Sequence, residues 1–190
     1  MIKSRISSSI EVKEKILKND ILIGNIQKAA DLILSCYKSN NKVWLCGNGG
    51  SAADAQHIAA ELSGRFYIDR PALFAEALHV NTSYITAVAN DYSFDDIYSR
   101  YIKAAANSGD ILIAISTSGN SKNIVNAVNE ANNKGAKIIS LTGETGGKLK
   151  NITDILINIP SKDTPRIQES HILIGHILCE IIEDEMFRQK

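Results

Sequence analysis

Four hydroxyl side chains crowd the stretch STSGNS at residues 116–121, namely Ser116, Thr117, Ser118 and Ser121. The stretch follows the apolar run DILIAI and precedes the helix-like sequence KNIVNAVNEANN. The start of a helix offers free backbone N–H groups and a partial positive charge, which together suit a phosphate. Capping that helix requires only one hydroxyl. Four of them, with a glycine that admits the backbone closely, therefore favour a phosphate monoester site.

The glycine-rich stretch GNGGS at 47–51 also lies between an apolar run and a helical pattern. It lacks the Gly-Lys-Ser/Thr of a Walker loop and the Gly-x-Gly-x-x-Gly spacing of a dinucleotide site. Nucleotide binding is therefore disfavoured. Two interpretations stay open, a tight strand-to-helix connection and a second part of the ligand site.

His57 and Glu61 are four residues apart on the helix predicted to start at Ser51, so they lie about 40° apart around its axis. An imidazole and a carboxylate in this arrangement suit a metal ion, although a His–Glu surface pair is the commoner outcome of the spacing. His176 lies in the apolar stretch HILIGHILCEII, where a buried ring needs hydrogen-bond partners. A satisfied core histidine is the alternative there. His171 and His79 have no partner by spacing and are interpreted as structural.

Five short apolar runs alternate with helical patterns along the chain. Continuous apolar runs suit strands buried on both faces of a parallel sheet, and the alternation predicts a layered α/β fold. Three strand ends deliver glycine and hydroxyl residues to one edge of the sheet, where ligands bind in such folds. The strands are predicted at 42–46, 73–78, 111–115, 136–141 and 154–159, and helices at about 4–18, 22–39 and 164–188, with more helix within 79–107. One domain is expected over 1–190, with a helical segment (1–40), a parallel core (41–163) and a last helix (164–190).

The composition narrows the class of protein. The 190 residues carry 21 basic and 21 acidic side chains, and this balance disfavours a nucleic-acid partner. Cys36, Cys46 and Cys179 form no Cys-x-x-Cys pair, which indicates reduced thiols. No run approaches the roughly 18 apolar residues of a membrane span, and no signal peptide is evident. These features predict a cytoplasmic protein with no membrane partner. The apolar helices 22–39 and 164–188 are expected to pack against other subunits.

With these residues collected, nearly the whole chain resembles the sugar isomerase (SIS) domain family. Within that family it is similar to the branch that isomerises heptose phosphates, on the segments HIAAE and RIQESH. The resemblance implies a three-layer α/β sandwich with a five-stranded parallel sheet of the flavodoxin-like kind and helical extensions at both ends. It rests on CGNGGSAADAQHIAAELSGRF (46–66), AVANDYSFDDIYSR (87–100), ISTSGNSKNI (115–124), SLTGETGGKL (140–149) and TPRIQESHILIGHILCEIIE (164–183).

The resemblance also implies roles for individual residues. One Zn²⁺ per subunit is expected on His57, Glu61, Gln168 and His176. Glu61 is expected to move the proton at carbon and His176 the proton at oxygen. Substrate contacts are expected from Asn48, Gly49, Gly50, Ser51, Glu61, Asn90, Asp91, Ser116, Thr117, Ser118, Ser121 and Gln168.

The implied reaction converts sedoheptulose 7-phosphate into D-glycero-D-manno-heptose 7-phosphate through an enediol. It is the first step towards activated heptose for lipopolysaccharide or capsule, and family members form homotetramers. Two alternatives stay open. One is a non-enzymatic SIS protein of the type that associates with the replication initiator DnaA, a branch that lacks the glutamate at position 61. The other is an isomerase for a pentose or hexose phosphate.

Two difficulties accompany this ligand set. Gln168 and His176 are eight residues apart, about 12 Å along a straight helix. Either the helix begins irregularly after Pro165, or the ligands come from different subunits. In addition, a zinc-bound Glu61 is a poorer base, so the metal either changes ligands during turnover or serves mainly the structure.

Overall fold

The computed structural model describes residues 1–188. Two helices open the chain, and strands and helices then alternate until the last long helix. The helices are α1 (Ile2–Leu17), α2 (Asp20–Lys38), α3 (Gly50–Ser63), α4 (Thr82–Asp91), α5 (Ile97–Ala105), α6 (Lys122–Asn133) and α7 (Thr164–Phe187). The strands are β1 (Val43–Gly47), β2 (Ala75–Ala77), β3 (Ile111–Ser116), β4 (Lys137–Thr142) and β5 (Ile155–Asn158). Short 3-10 helices span Phe94–Asp96 and Gly147–Asn151.

The five strands form one parallel sheet in the order β2-β1-β3-β4-β5. This is the flavodoxin-like order, in which β2 is added on one side of β1 and the later strands on the other, so that the strand order reverses between β1 and β3. In such a sheet the carboxyl ends of β1 and β3 lie side by side, at the reversal point where ligands bind. The predicted fold class is therefore confirmed.

Helices cover both faces of the sheet, because alternate strand residues point to opposite sides. On one face Leu45, Ile113 and Ile139 pack with the buried stripes of α2, α3 and α7. On the other face Trp44 and Leu112 pack with α5 and α6. The sheet and the helices on its two faces form the three-layer sandwich that the resemblance implies, with one apolar cluster on each side of the sheet.

The structure revises two expectations about individual elements. The strand predicted at 73–78 is only three residues long, since it lies at the sheet edge and pairs with β1 alone. Helix α7 is regular from Thr164, with Pro165 in its first turn, where the missing N–H costs nothing. The irregular start considered for this helix is therefore wrong, and Gln168 lies in its second turn. The final two residues of the predicted 164–190 segment lie outside the described residues.

Within residues 1–188, none of the helices is both long and apolar enough to cross a membrane.

Candidate active site

A cavity of about 340 Å³ lies where β1 and β3 end, beside the first turn of α7. Both strands deliver their following residues to this edge of the sheet, and α3 begins there. Eight of the twelve residues predicted to contact substrate line this cavity. The cavity is lined by Asn48, Gly49, Gly50, Ser51, Ile115, Ser116, Thr117, Ser121, Thr164 and Gln168.

The hydroxyl groups of the cavity are not used as helix caps. Ser121 occupies the N-cap position of α6, yet its side chain makes no capping hydrogen bond. Its Oγ lies 3.2 Å from Ser116 Oγ instead. Helix α3 likewise starts at an N-cap glycine, Gly49, with no side-chain cap. Two helix starts without side-chain caps, next to clustered hydroxyls, form the arrangement that binds an anion.

Ser118 differs from the other three hydroxyl residues. Its Oγ accepts a hydrogen bond of 3.1 Å from the backbone N–H of Asn120, which closes a local turn. The residue lines an adjoining cavity of about 320 Å³ rather than the cavity with Ser116 and Ser121. Thr117 and Thr164 line both cavities. The structure thus brings three of the four predicted hydroxyls into one site.

Two close backbone approaches require glycine in these loops. A side chain at Gly47 would collide with the Ser51 carbonyl, so only glycine lets α3 turn back against the end of β1. At Gly119 the backbone has φ 65°, and an added Cβ would collide with the Gly146 carbonyl. The hydroxyl loop therefore packs backbone to backbone against the loop after β4.

An amide pair joins the two halves of the cavity. Asn48 Nδ2 donates to Asn123 Oδ1 at 2.9 Å, and Asn123 Nδ2 donates to Asn48 Oδ1 at 2.8 Å. Asn123 is only 2% exposed and was not among the predicted site residues. The sequence signal for Asn123 is that a polar amide occupies a position on the buried face of α6. The pair fixes the glycine turn relative to the hydroxyl loop.

Gln168 reaches the cavity from α7. Its carboxamide lies over Gly50, where a Cβ would come within 2.6 Å of Gln168 Nε2. In the described part of the chain this side chain makes no hydrogen bond to His57, Glu61 or His176. The structure therefore places Gln168 with the predicted substrate contacts and does not join it to the other predicted metal ligands.

His57, Glu61 and His176 form a second cluster. His57 Nε2 lies 3.2 Å from Glu61 Oε1 and 3.4 Å from His176 Nε2. Helix α3 supplies the first two residues, and α7 brings His176 across from a position 119 residues later in the chain. The tertiary structure thus joins three of the four predicted ligands.

The two contacts of His57 Nε2 compete with each other. If this nitrogen carries a proton, it donates to Glu61 and cannot accept from His176. If it carries none, its lone pair faces a carboxylate. A cation between the three atoms removes the conflict. In a tetrahedral zinc site with Zn–N near 2.0–2.1 Å, two donor atoms lie ~3.3 Å apart, which matches both distances.

The cluster is incomplete as a metal site. Among residues 1–188, no three His, Cys, Asp or Glu side chains are already arranged to hold a metal ion. Both contacts of the cluster involve His57, one with Glu61 and one with His176, so they fix two of the three distances within the cluster.

A glycine sets the distance between the two histidines. Gly175 and Ile58, the sequence neighbours of His176 and His57, meet where α7 crosses α3. A Cβ at Gly175 would lie 2.5 Å from Ile58 Cδ1, and Ile58 is buried. The absence of a side chain lets the helices approach until the imidazoles touch. An isolated glycine inside a helical pattern is the sequence signal for such packing.

The remaining predicted residues lie elsewhere. Asn90 and Asp91 are exposed at the end of α4, where Asn90 Nδ2 donates to Asp91 Oδ1 at 2.8 Å. They do not line the cavity formed by the strand ends. His171 is fully buried, its Nε2 lies 3.1 Å from the Thr142 carbonyl oxygen, and burial lowers its pKa to about 4. His171 is therefore neutral, as a structural histidine should be.

A larger cavity of about 770 Å³ lies between α2 and α7, away from both clusters. Its lining includes Gln27, Asp31 and Lys38 from α2 and Asp184 from α7. The described residues that line it come from α2, its C-cap Ser39 and α7, so that neither a strand end nor a helix N-terminus with clustered hydroxyls is among them. Size alone does not define a site, and the smaller cavity at the strand ends is the candidate because helix starts and hydroxyls converge there.

The fold and the site together define an α/β protein with a hydroxyl-lined cavity at the reversal point of its sheet, suited to an anion, next to a His–Glu–His cluster. A family model described as the SIS domain matches residues 6–143. A phosphoheptose isomerase of Aneurinibacillus thermoaerophilus is 51% identical over 189 residues, covering 100% of this chain and 96% of the relative. The chain belongs to the SIS domain family and, within it, to the phosphoheptose isomerase branch.

Solved structures agree with this assignment. A phosphoheptose isomerase from Francisella tularensis superposes with a TM-score of 0.93 at 42% identity, covering 96% of both chains. One from Neisseria gonorrhoeae gives a TM-score of 0.90 at 42% identity, covering 96% of this chain and 97% of the other.

Proposed function

We propose that the protein is an aldose–ketose isomerase that converts sedoheptulose 7-phosphate into D-glycero-D-manno-heptose 7-phosphate. One observation carries the proposal: the anion cavity and the His–Glu–His cluster lie along the same helix. Ser51 stands in the first turn of α3, and His57 follows six residues later, about 9 Å along the axis. A substrate anchored by its phosphate at the helix start extends its other end towards the cluster.

The phosphate end is bound by groups that need no rearrangement. Ser116, Thr117 and Ser121 offer hydroxyl donors at the cavity wall. The first turns of α3 and α6 add backbone N–H groups and the positive ends of two helix dipoles. Gln168, lying over Gly50, is placed to donate to a sugar oxygen beyond the phosphate. These contacts hold the substrate equally in its ground and transition states.

The reacting end requires proton transfers at carbon and at oxygen. Glu61 is proposed to take the proton from C1 of the ketose, so that the C1–H electron pair forms the C1=C2 double bond of the enediol while the C2=O π pair moves onto O2. His176 is proposed to move a proton between the two oxygens. Return of the proton to C2 then gives the aldose. No covalent intermediate is needed. Negative charge develops on the oxygens of the enediol, and a donor placed there, proposed to be His176, lowers the barrier.

Three residues are proposed to hold a zinc ion, namely His57, Glu61 and His176. Zinc, when bound, would supply a Lewis acid for the substrate carbonyl, and Glu61 would act as the base once its carboxylate has left the metal, because a zinc-bound carboxylate is a poorer base. The competing contacts of His57 Nε2 support this proposal, because their distances of 3.2 and 3.4 Å are those expected between two ligands of one zinc ion. Gln168 remains a proposed fourth ligand, supplied by another subunit, because α7 is regular and separates it from the cluster of its own chain.

We further propose a cytoplasmic homotetramer with its site at a subunit interface. Ile2, Ile6 and Ile10 form an exposed stripe at four-residue spacing on α1, a surface suited to a second copy of the chain. The three cysteines are free and buried, which suits a reducing compartment. The product is proposed to feed activated heptose for lipopolysaccharide or capsule. A monomer in sedimentation that keeps full activity would contradict the interface proposal.

The test of the reaction is turnover of sedoheptulose 7-phosphate, followed by NMR in deuterated water. The variant Glu61→Gln is expected to lower kcat about 10²–10⁴-fold, since the amide cannot accept the proton. The matched control is Glu130→Gln on α6, which should keep the wild-type rate. Equal rates in E61Q and wild type would remove Glu61 as the base.

A panel of substrates tests the alternatives. A pentose or hexose phosphate that turns over much faster than the heptulose would exclude the heptose branch. Binding of sugar phosphates without any turnover would favour the non-enzymatic alternative.

Metal analysis tests the zinc proposal. Purified protein is expected to contain one zinc per chain, to lose it to a chelator together with activity, and to regain both on addition of Zn²⁺. The variant His57→Gln should bind less zinc. Full activity of metal-free protein would show that the isomerisation needs no metal.

A further inference from the structure

Arg70 closes the carboxyl end of α3, the helix that carries His57 and Glu61. Its Nη2 donates to the carbonyl oxygen of Glu61 at 2.8 Å, and its Nη1 donates to that of Leu62 at 2.8 Å. Longer bonds reach the Gly64 and Pro71 carbonyls. The last turn of α3 has no basic residue of its own. Arg70 therefore supplies the positive charge and the donors that a helix end lacks.

Glu183 of α7 holds Arg70 and the segment before it. Its Oε1 accepts from the backbone N–H groups of Tyr67 and Ile68, at 2.8 and 3.0 Å. Its Oε2 accepts from the Phe66 N–H at 3.1 Å and from Arg70 Nε at 3.2 Å. Burial acts to raise the pKa of Glu183, but these donors outweigh it, and the pKa is lowered. The side chains of Arg70 and Glu183 are only 2% and 1% exposed.

The pair is connected to both proposed proton-transfer residues, directly to Glu61 and through Phe66 to His176. Arg70 binds the backbone of Glu61 itself. Phe66, held by Glu183, places its ring 5.8 Å from the His176 ring. Glu183 follows His176 by seven residues, so the two lie about 20° apart around α7. Neither Arg70 nor Glu183 lines the cavity at the strand ends.

We propose that Arg70 and Glu183 are positioning residues that set the relative placement of Glu61 and His176, an inference that rests on the proposed function. A buried ion pair is weak evidence for stability, since apolar replacements are often as stable. Its geometry here has a different consequence. Loss of the forked guanidinium of Arg70 or of the carboxylate charge of Glu183 releases the end of α3 and the Phe66 contact together. Displacement of reacting groups by about 1 Å can cost about 10²-fold in rate.

The test compares Glu183→Gln and Arg70→Lys with the matched control Asp110→Asn. Asp110 is also 2% exposed and accepts N–H groups from Lys42, Trp44 and Asn107, but at the amino-terminal end of the strands. All are assayed at a temperature where circular dichroism shows them folded. E183Q and R70K are expected to lower kcat ~10–100-fold with KM within ~2-fold, whereas D110N keeps kcat.

A second measurement separates positioning from the reaction itself. The ¹H–¹⁵N imidazole resonances of His57 and His176, recorded at one pH without substrate, should move in E183Q and R70K and stay in place in D110N. Unmoved resonances in folded E183Q and R70K overturn the inference, whatever happens to kcat. Should E183Q fail to fold, R70K decides.

The same pair of measurements distinguishes the two proposals. If wild-type protein isomerises no sugar phosphate but the resonances move as expected, the proposed function has failed and the structural coupling stands. If wild type is active and both variants keep its kcat, the positioning inference has failed alone.

Discussion

Gly175→Ala probes how closely α3 and α7 must approach. The new Cβ would lie 2.5 Å from Ile58 Cδ1, against 3.4 Å for the shortest ordinary contact, so the helices or the isoleucine must give by about 0.9 Å. Overpacking of this kind costs about 1–3 kcal/mol. Alanine returns about 1 kcal/mol through its better helix propensity. The net loss of stability is therefore up to about 2 kcal/mol, or a Tm lower by about 4–8 °C in a chain of this length.

Activity should fall by more than this small loss implies. His57 and His176 flank the crossing point, and their 3.4 Å contact opens when the helices separate. We expect kcat to fall about 10–100-fold at a temperature where the variant is folded. The control is Gly24→Ala in α2, where an added Cβ meets nothing within 4 Å. G24A should gain up to about 1 kcal/mol by helix propensity and keep the wild-type kcat.

A third variant makes the reasoning refutable. Ile58→Ala combined with G175A removes the colliding atoms, and it should recover kcat relative to G175A even though the Ile58 truncation itself costs stability. If G175A matches wild type in both kcat and Tm, Ile58 yields without moving the helices, and Gly175 has no role in the spacing of the cluster. If the double variant is no more active than G175A, the loss has another cause.

Three further outcomes are expected. Asn123→Asp loses the donor to Asn48 and adds a charge near the phosphate, so KM should rise about tenfold with kcat less affected, and Asn132→Asp on the exposed side of α6 should leave KM unchanged. The pKa of His171 is about 4 in the folded chain against an ordinary 6.5, so protonation of His171 in the unfolded chain should account for about 2 kcal/mol of the stability that wild type loses in urea unfolding between pH 7 and pH 4.5. His171→Gln keeps a donor for the Thr142 carbonyl and should lose that much less, and equal losses would contradict the assignment. A thiol reagent should label the native chain far more slowly than the unfolded chain, because burial raises the pKa of Cys36, Cys46 and Cys179.

The anion cavity could be predicted from the sequence because its parts are local. Ser116, Ser121 and the glycines of GNGGS each follow directly from a strand, and parallel strands deliver their carboxyl ends to one edge. The two covered faces of the sheet follow from the same apolar runs, whereas its flavodoxin-like order was implied only by the resemblance to the SIS family. Helix capping was the alternative considered for these hydroxyls, and Ser121, although it occupies the N-cap position of α6, makes no capping hydrogen bond and contacts Ser116 instead.

The sequence by itself determined the strand and helix order, the hydroxyl loop and the His57–Glu61 pair, because each depends on neighbours within one turn or one strand. Only the tertiary structure decided which distant groups meet. His176 reaches His57 because Gly175 lets two helices touch, and Glu183 reaches Arg70 across 113 residues of chain. Gln168 lies with the cavity rather than with the cluster because α7 is regular, and two turns of helix separate it from His176. Such contacts depend on the packing of helices onto a common sheet, and no spacing within a single segment encodes that packing.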